Sequence, residues 1–142
     1  MNNTLQTYRK DDMFRSAGHL GGAGARYRNI ELQTRLDGAS PHKLIAILFE
    51  ELMRAIDATK LAMERGDMGR QADRQARALS ILQALDASLD HKKGGDVAAN
   101  LSSIYRESRR LISTGTREKN GELIDKAKSM LGAIAEAWES IG

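Results

Sequence analysis

The chain of 142 residues carries 22 Lys and Arg against 19 Asp and Glu, with one Pro and no Cys. Without cysteine there is no disulfide framework, no thiolate metal site and no thiol nucleophile. No stretch approaches the roughly 18 apolar residues of a membrane-spanning helix, and the N-terminus lacks the apolar core of a signal peptide, so a cytoplasmic protein with no membrane insertion is expected. Aromatic residues are scarce, while Leu, Ile, Ala, Met, Glu, Lys and Arg dominate, which favours an all-α fold.

Residues 1–28 hold Arg9, Lys10, Arg15, Arg26 and Arg28 against Asp11 and Asp12, and the remainder balances at 17 of each sign. The net charge of +3 therefore sits at the N-terminus. The rest of the chain has no basic excess to drive counterion release, so no nucleic acid is expected as a partner. Gly18, Gly21, Gly22 and Gly24 follow no hydrophobic strand and lead into no Gly-Lys-Ser/Thr. They read as a flexible linker, not a phosphate cradle. The expected organisation is a flexible N-terminal segment over residues 1–26 and a helical-bundle domain over residues 27–142. Tyr27, Ile30, Leu32 and Leu36 then form either a short helix or an arm packed on that bundle.

The next stretch organises the rest. Ser40 is a good N-cap, and Pro41 suits the first helical position, where its missing N–H costs nothing. Gly66 is the next natural stop. At 100° per residue, Leu44, Ile45, Leu48, Phe49, Leu52, Met53 and Ile56 spread over roughly 180°, with Ile47 outside even that; an ordinary core stripe needs about 100°. Two readings stay open: a central helix between two neighbours, or a partner groove along one edge. The Leu44–Leu48–Leu52 side is the expected core face. The Ile45–Phe49–Met53–Ile56 edge is the candidate partner-binding surface.

Asp67 is placed to cap a second helix running to about Leu89, striped by Ala72, Ala76, Leu79, Leu82, Leu85 and Leu89, with Ile81 at the margin. Gly94-Gly95 are expected to break the chain and Asp96 to start a third helix, facing inward through Val97, Leu101, Ile104, Tyr105, Leu111 and Ile112. After a loop over Gly115–Gly121, a fourth helix aligns Leu123, Ile124, Ala127, Leu131, Ile134, Trp138 and Ile141. Trp138 reads as a core anchor, with partner contact the alternative. Four helices with short connections predict an antiparallel up-down-up-down four-helix bundle.

Bundles of this kind can hold di-iron sites, which need Glu-x-x-His pairs. No Glu here has a His three residues on, and His19, His42 and His91 fall in or beside loops and helix ends, as solvated side chains would. Glu50 and Glu51 are adjacent, hence about 100° apart and no carboxylate pair. Arg70, Arg74 and Arg77 read as a solvated face. No catalytic residue, metal site or cofactor is expected, and the protein is not expected to be an enzyme.

Certain motifs go further than periodicity. Gln33-Thr34 leading into Ala39-Ser40-Pro41-His42-Lys43-Leu44-Ile45, then Leu48-Phe49-Glu50, resembles the opening of the FliS family of flagellar export chaperones. Gly94-Gly95-Asp96-Val97-Ala98, with Asn100-Leu101 and Ile104-Tyr105, is similar to a second motif of that family, and Trp138 stands where its last helix usually carries a Trp. The resemblance runs over about residues 27–141. It implies a cytoplasmic chaperone that binds the C-terminal segment of flagellin, prevents premature polymerisation and assists delivery to the flagellar export apparatus, with the export-gate protein a further partner. In that family the N-terminal segment can pack on the bundle, which makes Leu5, Tyr8, Met13 and Phe14 candidate lid residues. Without the resemblance, the residues stop at a helical bundle that binds something. A homodimeric structural or regulatory helical-bundle adaptor is the alternative.

Overall fold

The structure, a computed structural model, describes residues 23–141. Over these residues the chain is all-α, with five helices and no strand: α1 (Ala23–Leu36), α2 (Pro41–Glu64), α3 (Met68–Ala87), α4 (His91–Arg117) and α5 (Gly121–Ile141). The segment expected to end in a short helix or an arm is a helix, and the boundary expected between residues 26 and 27 falls inside it.

Local chemistry explains most of the ends. The Lys43 N–H donates to Ser40 Oγ at 3.1 Å, the Arg70 N–H to Asp67 at 3.1 Å, and the Lys92 and Lys93 N–H groups to Asp90, each at 3.1 Å. These bonds satisfy donors that the first turn of a helix leaves free. α2 stops where Gly66 turns left-handed (φ 71°), with the Asp67 N–H donating to the Ala62 carbonyl at 2.9 Å and the Gly66 N–H to Met63 at 3.1 Å. That pair of bonds is a Schellman ending.

One boundary gains a turn and another moves. α4 gains a first turn from His91, capped by Asp90. Gly95 (φ 48°, ψ −124°) is non-helical, so His91–Arg117 is two helical pieces joined across a kink, and the break expected at Gly94-Gly95 is present. At its other end α4 runs through Gly115 to Arg117. Gly115 is buried, and a Cβ there would lie 2.9 Å from Ile124 Cγ1 and 3.0 Å from the Asn120 carbonyl. It is thus a point of close approach between α4 and the start of α5, not a loop residue.

α4 closes with the Asn120 N–H donating to the Gly115 carbonyl at 2.8 Å, around a left-handed Lys119 (φ 53°). A lysine Cβ is strained there. Lys119→Gly should raise stability by about 0.5–1 kcal/mol in chemical denaturation. A loss would mean that the Lys119 side chain makes a compensating contact.

α2 packs on α3 and α5, and α4 packs on the same two helices. The contacts between α2 and α5 descend along the sequence: His42 meets Trp138, Asp57 meets Lys128 and Lys60 meets Asp125. Leu52, Ile81, Leu82, Ile112 and Leu131 are at 0% exposure in the middle of the core. Ile81, expected at the margin, is therefore central, whereas Ala72 and Ala76 are exposed. Alanine tolerates either environment, so the bulkier Ile81, Leu82 and Leu85 set the phase of α3. Val97 likewise faces outward, and Ala98 takes the core position.

The wide apolar arc of α2 finds a third neighbour. Leu32 and Leu36 of α1 bury Ile47 and pack against Leu44, so the part of the arc farthest from α3 and α5 is covered by the chain itself. Leu48 and Leu52 enter the main core as expected, but Leu44 belongs to this second cluster.

Candidate functional site: the seam between α2 and α5

Where α2 begins and α5 ends, the core opens into a cavity of about 280 Å³, walled mainly by Ile45, Phe49, Leu101, Tyr105, Ile134 and Trp138. Trp138 closes one side of it. Its indole Nε1–H donates to the His42 carbonyl at 2.9 Å, and its ring stacks on the His42 imidazole with centroids 4.6 Å apart and planes 13° from parallel. Trp138 is half-buried, and so is His42, which is not the freely solvated side chain expected. Burial, and to a lesser degree the nearby Asp86 charge, push the Tyr105 phenol up to about 12, so it stays a neutral hydroxyl across physiological pH.

A second depression of about 400 Å³ continues along the same seam. Ala46, Phe49, Met53, Gly132 and Ala135 give it an apolar bed, and Glu50, Arg54, Asp57, Glu136 and Glu139 a charged rim. Gly132 and Ala135, one turn apart on α5, keep this bed low. Phe49 walls both depressions. Ile45, Phe49 and Met53 are thus brought together along one seam. Ile56 is not: it lies at 1% exposure in the core and lines neither depression. The candidate lid residues Leu5, Tyr8, Met13 and Phe14 lie outside the described residues.

Sequence reading missed the contribution of α4 to this site, through Leu101 and Tyr105, and the His42–Trp138 stack. It also missed Gly132 and Ala135. Their spacing of three was the signal on α5 for a groove.

A run of alternating charges ties α1 and α3 to α2. Arg35 donates to both Glu50 oxygens at 3.1 Å, Arg54 reaches Glu50 and Glu51, and Arg77 donates to Glu51 at 3.1 Å. Arg77 is therefore an inter-helix tether and not part of a solvated face. The bonds from Arg35 hold the Glu50 carboxyl below its ordinary 4.5. A depressed carboxyl contributes stability that is complete above the ordinary value and is lost as pH falls through the lower, folded value. Acidification below 4.5 should consequently loosen α1 first, seen as faster hydrogen exchange in residues 30–36 before the remainder opens. Simultaneous opening of all five helices would show that the pair does not hold α1.

Among the described residues no group of His, Cys, Asp or Glu is placed to hold a metal ion, and no helix is long and apolar enough to cross a membrane. The fold and its principal opening have the form of a helical binding protein: the opening is an apolar seam between helices, of the kind that accepts another amphipathic segment. A family model described as "Flagellar protein FliS" matches residues 23–142. The Flagellar secretion chaperone FliS of Salmonella typhimurium is 32% identical over 116 residues, 81% of this chain and 86% of the relative. The proteins of the same name from Vibrio cholerae and Campylobacter jejuni are 27% identical over 122 residues (86% of this chain, 90% of theirs) and 31% identical over 102 residues (72% and 80%). The chain belongs to the FliS family. Its relatives' names describe secretion chaperones, a non-enzymatic role.

Proposed function

We propose that this protein is a cytoplasmic chaperone in flagellar export that binds the C-terminal segment of flagellin, prevents its premature polymerisation and assists its delivery to the export apparatus, where the export-gate protein is a further partner. The observation that carries this reading is the α2–α5 seam, in which Ile45, Phe49 and Met53 line two adjoining depressions in a chain of the FliS family. Ile56 supports that edge from beneath. An amphipathic segment laid along the seam buries its apolar face as a helix in a groove, and its ordering cost is met by contact length, not by one deep pocket. No nucleotide or metal is needed, since release can be coupled to handover. The descending contacts between α2 and α5 support reading α2–α5 as an antiparallel up-down-up-down bundle.

Titration calorimetry of the full chain with a flagellin C-terminal fragment, paired with mass measurement in solution, tests this reading. A saturable one-to-one complex is expected. A stable dimer that ignores the fragment would favour the homodimeric adaptor.

Leu5, Tyr8, Met13 and Phe14 complete the proposal as a lid that covers part of the client groove until flagellin displaces it. A lid closed about 90% of the time weakens apparent affinity roughly tenfold, because only the open fraction binds. Deleting residues 1–22, which leaves α1 whole, should therefore tighten binding by up to that factor, mainly through faster association. Unchanged affinity and self-association would leave the segment with no lid role.

A further inference from the structure

A different seam carries a different chemistry. On α4, Arg109 and Arg110 each lie three or four residues from both Arg106 and Ser113, so the four crowd onto one broad helical face. With Leu79 and Gln83 of α3 they line a shallow depression of about 490 Å³. Arg117 continues the same row one turn on.

These charges are mostly unanswered. Glu107 engages Arg110 at 2.8 and 2.6 Å. Neither Arg106 nor Arg109 has an ion-pair or hydrogen-bond partner among the described residues. Glu107 also feels Lys126 of α5, and the Asp86 charge of α3 reaches Tyr105, the residue before Arg106. The excess is local, because the chain beyond residue 28 is balanced at 17 charges of each sign. A balanced domain does not attract a polyanion from a distance, and no aromatic side chain lines the depression to stack on a base. Its floor is instead the half-buried Leu79, with Gln83 and Ser113 as neutral hydrogen-bonding groups.

We propose that the α3–α4 seam is a second docking surface, which takes an acidic amphipathic helix of another protein. Guanidinium groups one turn apart match carboxylates one turn apart on the partner, each as a planar fork able to bind two oxygens. Leu79 receives an apolar side chain from the same helix. This seam shares no lining residue with the depressions of the α2–α5 seam, so the two can be filled together. The partner then reads the chaperone without displacing its client, and the proposal does not depend on which client that is.

The test uses the full chain and a synthetic amphipathic helical peptide with glutamates three and four residues apart beside a leucine row. A twin peptide with lysines in their place and a single-stranded RNA serve as comparisons. The glutamate peptide should bind saturably, weaken as salt rises, and lose about tenfold or more in affinity to the double variant Arg106→Glu with Arg109→Glu. Arg106→Gln with Arg109→Gln should fall between, and both variants should keep the helical spectrum, the melting temperature and the flagellin-fragment titration of the parent. No saturable binding of the glutamate peptide, equal binding of the lysine twin, or indifference to the charge reversals would overturn the proposal. Tighter binding of the RNA than of the glutamate peptide would overturn it too.

Discussion

Phe49→Ala should cost about 3–5 kcal/mol of stability. The ring is 3% exposed, belongs to the main core and walls both depressions of the α2–α5 seam. Its removal merges the two depressions and deprives Ile45 and Met53 of their common neighbour. The edge expected to be a spare surface is therefore structural at its centre. A loss of client binding in this variant would report on the fold as much as on contact. Urea denaturation of the variant gives the number. A cost below about 1 kcal/mol would show that the ring faces the client and not the core.

Gly132→Leu separates the two roles, and should weaken flagellin-fragment binding by about tenfold or more while the fold gains stability. Gly132 lies inside α5, and a Cβ added there meets nothing within 4 Å. The new side chain therefore starts from open space and extends over the bed beside Met53 and Ala135. Replacing a helical glycine also removes a penalty of about 0.5–1 kcal/mol. A melting temperature that rises while calorimetry shows the affinity falling is the expected pair of results. A stabilised variant with undiminished affinity would move the client off this part of the seam.

Much of this chain could be read without its structure, for local reasons. Ser40-Pro41 begin α2 and Gly66 ends it as the capping preferences dictate, because both depend on side chains and dihedral angles within one turn. Asp67 caps α3 on the same terms. The break at Gly94-Gly95 was legible too, since Gly95 takes a positive-φ, non-helical conformation there. What local signals did not show is the extra turn before that break, which Asp90 caps and which stays joined to the longer helix across the kink. The burial phase of α3 was misjudged through Ala72 and Ala76, since alanine carries too little apolar surface to show which way it faces.

The sequence by itself determined that α2 is a helix with more apolar surface than one neighbour covers. It also determined that Ile45, Phe49 and Met53 lie along one edge, and its motifs placed the chain in the FliS family. Only the tertiary structure decided who covers that surface. Ile47 and Leu44 go to α1, Ile56 to the core, and Phe49 and Met53 to a seam left low by Gly132 and Ala135. Periodicity fixes the angle of a side chain about its own helix axis. Whether that angle meets a neighbour or water depends on how closely the other helices approach, and small residues far away in the sequence set that distance.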